Sequence, residues 1–191
     1  MPGLVTLEFC VVVVGWLVFA LVFILQSRMP RTGTARRDRR SVIGMLLQGM
    51  GYGIVWGFRR NPVGPAGPLE LVRALCVVAF LVASIALTLA ARRQLGKQWS
   101  LSARVLDAHD LITSGPYGLV RHPIYTGMLG MLVATGLGVG RLPFSLGGAV
   151  VYILGTMIRA RVEERLLRTT FGTRYDDYAR RVPALVPRWP S

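Results

Sequence analysis

Two polar segments of the sequence, 92–123 and 159–191, hold the residues that could carry chemistry. The first contains both histidines of the chain, His109 and His122. A turn signal, Ser-Gly-Pro-Tyr, is followed there by Arg-His-Pro and then by an apolar block. Proline is favoured in the first helical turn, so Pro123 predicts a helix start, where free N–H groups attract anions. The same residues are also typical of a loop that enters a membrane with polar and aromatic anchors.

The second segment begins with Arg159 and Glu163, which share one helix face because they are four residues apart. A planar guanidinium can grip a carboxylate through two parallel hydrogen bonds, so Arg159 is a candidate for binding an acidic group. Glu163 and Glu164 are adjacent acids in a strongly basic segment, and anchoring to a membrane does not require them. The aromatic residues that follow at helical spacing favour an amphipathic helix at a membrane surface.

The elements that must position these residues are predicted to be membrane-spanning helices. Of the 191 residues, 52% are apolar and 17% are charged, and the mean hydropathy is +0.48. A spanning helix needs about 20 apolar residues, so the apolar blocks predict one all-α membrane domain with five transmembrane helices and short cytoplasmic C-terminal helices. The blocks are 4–25, 41–58, 69–91, 124–139 and 142–158.

The order of the blocks divides this single domain into two parts. Residues 1–91 would form three N-terminal spans, and 92–191 would form a second half that holds both polar segments and any site built from them. Within that half, 124–158 is predicted to be a tight hairpin of helices four and five, flanked by the two polar segments on one side of the membrane. In the second span, glycines at positions 49, 53 and 57 are predicted to share a face that lets another helix approach closely.

The basic residues predict how the chain is oriented. The net charge is +14, and 19 of the 23 basic residues lie in segments 26–40, 92–123 and 159–191. The positive-inside rule then predicts a multi-pass cell-membrane protein with its N-terminus outside, its C-terminus in the cytoplasm and its active site at the cytoplasmic face. Charge confined to loops does not favour a nucleic-acid partner. Cys10 and Cys76 lack metal-ligand spacing, so no metal is expected.

Together the two polar segments resemble the isoprenylcysteine carboxyl methyltransferase family. The resemblance covers about half of the chain and is specific because its motifs occur in order around the predicted hairpin. The matching motifs are His109-x-Leu111, Gly115-Pro116-Tyr117, Arg121-His-Pro-x-Tyr-x-Gly127, Glu163-Glu164-x-x-Leu167, Phe171-Gly172-x-x-Tyr175-x-x-Tyr178 and Val182-Pro183.

This resemblance implies a membrane methyltransferase that uses S-adenosyl-L-methionine without a Rossmann fold. It implies O-methylation of a carboxylate on a lipidic or prenylated substrate, with Arg159 holding that substrate. Arg121 and Glu163 would complete the catalytic group, with Arg121 organising the site. The residues implied in cofactor binding are His109, Leu111, Ile112, Tyr117, His122, Pro123, Tyr125 and Glu163.

The chemistry of the residues agrees with this interpretation. A sulfonium cofactor favours a carboxylate and aromatic walls, and an acceptor carboxylate is already ionised at neutral pH, so no general base is required. Three alternatives stay open: a phospholipid-type amine N-methyltransferase, for which Glu164 could act as base, an NADPH-dependent membrane reductase, and a non-enzymatic membrane scaffold. The methyl acceptor, the oligomeric state and the role of the first two spans are not determined.

Overall fold

A computed structural model describes residues 3–25, 39–60, 68–96 and 110–187 of the chain. Across these ranges the fold consists of helices, with one isolated antiparallel bridge between Arg59 and Gly140. The helices are α1 (Gly3–Leu25), α2 (Arg39–Gly57), α3 (Pro68–Leu95), α4 (Pro116–Leu119), α5 (Pro123–Gly138), α6 (Leu142–Phe171) and α7 (Thr173–Arg181). The prediction of an all-α chain is confirmed.

Three of the helices, α1, α3 and α6, are long and apolar enough to cross a membrane. Helix α5 is apolar but has only 16 residues. The sequence predicted that the last span ends at residue 158, whereas α6 continues without a break to Phe171. Its polar second half is rich in arginine, leucine and glutamate, which favour a helix. The change in hydropathy after residue 158 therefore marks a change of surroundings and not the end of the helix.

The helices pack in two antiparallel pairs, with α2 along α6 and α3 along α5, and α1 packs against α3 and α5. A buried apolar cluster fills the space between α1, α3 and α5. Large apolar side chains on the outer faces remain exposed, as expected of helices that contact lipid. The buried members of the cluster are Val12, Phe19, Val77, Leu81, Met131, Ala134 and Val139.

Glycines set the distance between α2 and α6, but they are not the glycines that the sequence predicted. A Cβ atom on Gly49, Gly53 or Gly57 would have no described atom within 4 Å, so that face does not pack against the described helices. The close contacts instead pair Gly44 with Gly155 and Gly51 with Gly148, where an added Cβ would lie 2.6–2.7 Å from a backbone oxygen. The packing face within one chain therefore differs from the one that the spacing suggested, because spacing alone does not reveal which side of a helix meets its neighbour. Packing of the predicted face between copies of the chain stays a prediction.

Charged side chains at the opposite end of the bundle from the polar segments are joined in a network. Glu8 of α1 is only 3% exposed, and it pairs with Arg60 and with Arg73, whose Nη2 lies 3.1 Å from Glu8 Oε1. Arg73 also pairs with Glu70. The one acid that interrupts the first apolar block therefore has two cationic partners, which offsets the cost of its burial.

Alanine substitutions on α2 should separate the two glycine faces. Gly51→Ala would place a methyl group 2.6 Å from the carbonyl oxygen of Gly148, and overpacking of this kind costs about 1–3 kcal/mol. The thermal unfolding midpoint in detergent micelles should therefore fall. Gly53→Ala is the matched control, since it meets open space and should leave the midpoint unchanged or raise it. Equal midpoints for the two variants would contradict the observed packing.

Candidate active site

The first polar segment becomes a turn, a single helical turn and the start of α5. Gly115 has a φ angle of +60°, a left-handed conformation that glycine adopts without strain, and α4 follows it. His122 occupies the N-cap position of α5 and Pro123 the first turn, so the predicted helix start at Pro123 is confirmed. Pro123 itself is buried.

The chain after α7 returns to lie along this helix start. The backbone N–H of Arg121 donates to the carbonyl oxygen of Pro183 at 2.8 Å, and that of His122 donates to Ala184 at 3.0 Å. The hydroxyl of Thr126 donates to the carbonyl oxygen of Leu185 at 2.7 Å. The two polar segments predicted to meet are therefore joined by main-chain and side-chain hydrogen bonds.

Arg121 anchors this junction. Its Nε and Nη2 both donate to Oε1 of Glu164, at 3.0 and 2.7 Å. Its Nη1 donates to the carbonyl oxygens of Ala179 and Val182, at 2.9 and 2.6 Å. Arg168 lies 3.6 Å from the other oxygen of Glu164. Both oxygens of Glu164 are thus engaged by cations, which indicates that this carboxylate has a structural role.

His122 connects the two adjacent glutamates. Its Nε2 lies 3.3 Å from Glu164 Oε1, and its Nδ1 lies 3.5 Å from Glu163 Oε2. Burial alone would lower the pKa of His122, but the hydrogen bonds to Glu163 and Glu164 outweigh it, and the pKa is raised. The imidazole therefore carries a proton more readily than a free histidine does.

Glu163 differs from its neighbour in its access to solvent. Its side chain is 25% exposed, against 11% for Glu164. The hydroxyl of Tyr125 donates a hydrogen bond to Glu163, and the Tyr125 ring stacks against the ring of His122 with centroids 5.6 Å apart. Glu163 is thus a carboxylate held in place by neighbouring groups yet open to a ligand.

Arg159 also lies over the Tyr125 ring, with its guanidinium carbon 5.0 Å from the ring centroid. It is buried, and its Nη1 donates to Oε1 of Gln48 at 3.0 Å. The sequence predicted that Glu163 and Arg159 share a helix face. Tyr125 links the two, because its ring meets Arg159 and its hydroxyl meets Glu163.

The remaining predicted residues have different positions relative to this group. Leu111 and Ile112 are half-buried in the extended stretch before α4. Tyr117 is buried, and its carbonyl oxygen accepts a hydrogen bond of 2.6 Å from the Tyr178 hydroxyl. Burial raises the pKa of Tyr178 to about 12, so this donor stays protonated at neutral pH. His109 lies outside the described residues.

Sequence reasoning missed two residues that contact the site. Gln48, from α2, donates to the hydroxyl of Thr156 at 2.9 Å as well as accepting from Arg159. Tyr152, from α6, donates to the carbonyl oxygen of Tyr125 at 3.1 Å. A carboxamide in the middle of an apolar span was the signal for Gln48, whereas Tyr152 had no distinguishing pattern.

The described ranges contain no cluster of metal ligands. We find there no group of three or more histidine, cysteine, aspartate or glutamate side chains that could hold an ion. Cys10 and Cys76 are exposed on α1 and α3. What the described site offers is a partly exposed carboxylate, a buried guanidinium and aromatic rings.

Comparison with known proteins places this site within one family. A model of the phospholipid methyltransferase family matches residues 72–174. A protein-S-isoprenylcysteine O-methyltransferase of Arabidopsis thaliana is 38% identical over 42% of this chain and 41% of its own length. A cobalt-zinc-cadmium resistance protein of Cupriavidus metallidurans is 40% identical over 41% of this chain and 36% of its length. A methanethiol S-methyltransferase of Bradyrhizobium diazoefficiens is 45% identical over 38% of this chain and 27% of its length. The match thus spans less than half the length of each of these relatives.

Replacing His122 by asparagine should destabilise the protein most at low pH. Because its pKa is raised on folding, the charged imidazole contributes its full stability below the unfolded value of about 6.5. That contribution is lost as the pH rises through the folded pKa. The gap in unfolding midpoint between wild type and His122→Asn should therefore narrow as the pH is raised from about 6 to about 9. A gap that stays constant would contradict the charged pairing with Glu163 and Glu164.

Proposed function

Because the chain belongs to the phospholipid methyltransferase family, we propose that it transfers a methyl group from S-adenosyl-L-methionine to a carboxylate on a lipidic or prenylated substrate. The resemblance predicted from the sequence is confirmed at the level of the family. The observation that carries the proposal is that Tyr125 contacts both residues, with its hydroxyl on Glu163 and its ring against Arg159. Both residues lie within the matched stretch.

The residues on the cofactor side fit a sulfonium compound with an amino-acid end. Glu163 supplies a partly exposed carboxylate for a cationic group, and the rings of Tyr125 and His122 supply flat walls. When bound, S-adenosylmethionine supplies a methyl group activated by the positive sulfur. The residues that would hold it, by resemblance, are His109, Leu111, Ile112, Tyr117, His122, Pro123, Tyr125 and Glu163.

The residues on the acceptor side fit an anion. The guanidinium of Arg159 can bind a carboxylate through two parallel hydrogen bonds, and its burial away from water strengthens that interaction. The bound cofactor would supply its methyl group to an acceptor oxygen that Arg159 orients. It would leave as a neutral thioether, and the acceptor would become a methyl ester. Catalysis rests mainly on orientation, which can supply about 7–11 kcal/mol.

The engagement of Glu164 favours a carboxylate acceptor over an amine. An amine must lose a proton, and Glu164 was the residue expected to accept it. Glu164 instead receives two hydrogen bonds from Arg121 and lies close to Arg168, so it is poorly placed to act as a base.

Family membership also favours methyl transfer over the reductase and scaffold alternatives. A thiol acceptor, as the name of one relative implies for that relative, is an outcome that the assay below distinguishes.

The proposed setting is the cell membrane, crossed by α1, α2, α3, α5 and α6. Helices α1, α3 and α6 support this by their length and hydropathy, and α2 and α5 by their packing along them. The N-terminus would lie outside and the C-terminus in the cytoplasm. The exposed arginines of α6 and α7 occupy the same end of the bundle as Glu163, which supports an active site at the cytoplasmic face.

Two adjacent isosteric substitutions should separate cofactor binding from folding. Glu163→Gln removes the charge of the accessible carboxylate, and the affinity for S-adenosylmethionine should fall by at least about tenfold. Glu164→Gln instead weakens the junction with Arg121, so it should lower the unfolding midpoint. Isothermal titration calorimetry and thermal unfolding of the purified protein measure the two effects. Wild-type affinity in Glu163→Gln would overturn the cofactor assignment.

Methyl transfer itself is tested with methyl-tritiated S-adenosylmethionine and three acceptor probes. These are an N-acetylated S-prenyl cysteine, methanethiol, and vesicles that contain phosphatidylethanolamine. The proposal expects a labelled ester on the first probe that is released as methanol by mild base. Label only on the thiol or on the aminolipid would overturn the carboxylate assignment, and label on none would overturn the methyltransferase proposal.

Arg159→Lys should impair this transfer more than it impairs cofactor binding. Lysine keeps the positive charge but loses the planar fork that holds both oxygens of a carboxylate. We expect kcat/KM for the prenyl cysteine to fall about tenfold or more, with an affinity for S-adenosylmethionine close to that of wild type. Unchanged kcat/KM would remove Arg159 from the acceptor site.

A further inference from the structure

Gln48 of α2 is a buried carboxamide whose two ends are both engaged. It is 2% exposed, and it lies between Arg159 and Thr156 of α6, at 3.0 Å from Arg159 Nη1 and 2.9 Å from Thr156 Oγ1. A guanidinium can only donate hydrogen bonds, so the amide oxygen must face Arg159 and the amide nitrogen must face Thr156. The orientation of the carboxamide is therefore fixed from both sides.

The glycine contacts between α2 and α6 allow this short side chain to reach Arg159. A Cβ atom on Gly44 would lie 2.6 Å from Cγ of Arg159 and 2.7 Å from the carbonyl oxygen of Gly155. A Cβ atom on Gly155 would lie 2.9 Å from the backbone nitrogen of Gln48. Only hydrogen atoms at these two positions let the helices approach so closely, and the contact between Gln48 and Arg159 depends on that approach.

We propose that Gln48 is a positioning residue that orients Arg159 for the methyl acceptor and favours an anionic acceptor. This inference rests on the proposed function, in which Arg159 binds the acceptor. The amide oxygen of Gln48 fixes one nitrogen of the guanidinium, and the ring of Tyr125 lies against the guanidinium carbon. Because a carboxamide is neutral, Gln48 provides this support without adding negative charge that would compete with an acceptor carboxylate.

The proposal gives α2 a role beyond spanning the membrane. Arg159 is placed by α6, Tyr125 by α5 and Gln48 by α2, so three helices together set the direction of one guanidinium. The matched family stretch begins at residue 72 and does not include Gln48. The acceptor side of the site is therefore completed by a residue from the part of the chain that the family match does not cover.

The test measures KM and kcat for acceptor probes in two variants of Gln48. Gln48→Met keeps the length of the side chain but removes the hydrogen bond to Arg159, and it should raise KM for the N-acetylated S-prenyl cysteine by about tenfold. The affinity for S-adenosylmethionine, measured by calorimetry, should stay within about twofold of wild type. Gln48→Glu is isosteric and adds a carboxylate beside Arg159, so it should impair the prenyl cysteine more than it impairs methanethiol, which is uncharged at neutral pH.

Tyr52→Phe is the matched control because Tyr52 lies on the same helix and donates a buried hydrogen bond of 2.6 Å to Met128 of α5. It removes a contact of similar size without touching Arg159, so KM should not change. An equal rise of KM in Tyr52→Phe and Gln48→Met would mean that Gln48 contributes only to helix packing, and it would overturn the positioning role. If Gln48→Met fails to fold, Gln48→Glu decides: an equal loss for both probes would overturn the proposal.

The outcomes also separate this inference from the function on which it rests. A wild-type protein that labels the prenyl cysteine, together with an unchanged KM in Gln48→Met, would overturn the role of Gln48 alone. A wild-type protein that labels none of the probes would overturn the proposed function, and the role of Gln48 would fall with it. Label on methanethiol only would overturn the preference for an anionic acceptor.

Discussion

The ion pair between Arg121 and Glu164 is the interaction on which the arrangement of the site depends. Arg121 precedes α5, Glu164 lies in the second half of α6, and the same guanidinium donates to two carbonyl oxygens at the end of α7. A single side chain therefore ties its own stretch to two others that lie 43 and 58 residues further along the sequence. Removing either charge would leave the other partly buried without its partner, which costs more than the pair contributes.

The adjacent residues Glu163 and Glu164 have different roles in this arrangement. Glu164 points into the junction and is engaged by cations on both oxygens, whereas Glu163 stays partly exposed beside Tyr125. Neighbouring residues on a helix are about 100° apart, which is enough to direct one side chain into the packed interior and leave the other partly exposed to solvent. His122 lies between them and couples the structural acid to the accessible one.

The sequence was most informative about features that depend on residues close together in the chain. Hydropathy located the apolar helices of the described ranges, because a run of apolar residues can be recognised without knowing what it packs against. Pro123 marked a helix start because its ring favours the first helical turn. Arg159 and Glu163 stood out because charges near a membrane boundary need a reason. The two polar segments could be expected to meet because one precedes and the other follows the predicted hairpin, so both adjoin the same end of it.

What could not be predicted depends on contacts between distant helices. The glycine face of α2 was assigned to positions 49, 53 and 57, but which side of a helix meets its neighbour depends on α6 and not on spacing within α2. The contact between Gln48 and Arg159 joins residues 111 positions apart. Glu164 was the candidate base of the amine alternative, and only the position of Arg121 shows that its carboxylate is engaged.

The network around Glu8 has a consequence for how the protein is made. Glu8 is synthesised 52 residues before Arg60 and 65 residues before Arg73. While the first helix is being inserted, this carboxylate has neither of those cations to neutralise it, and an acid is costly within a bilayer. The charge on the first helix therefore acquires both of its cationic partners only once residues 60 and 73 have been synthesised.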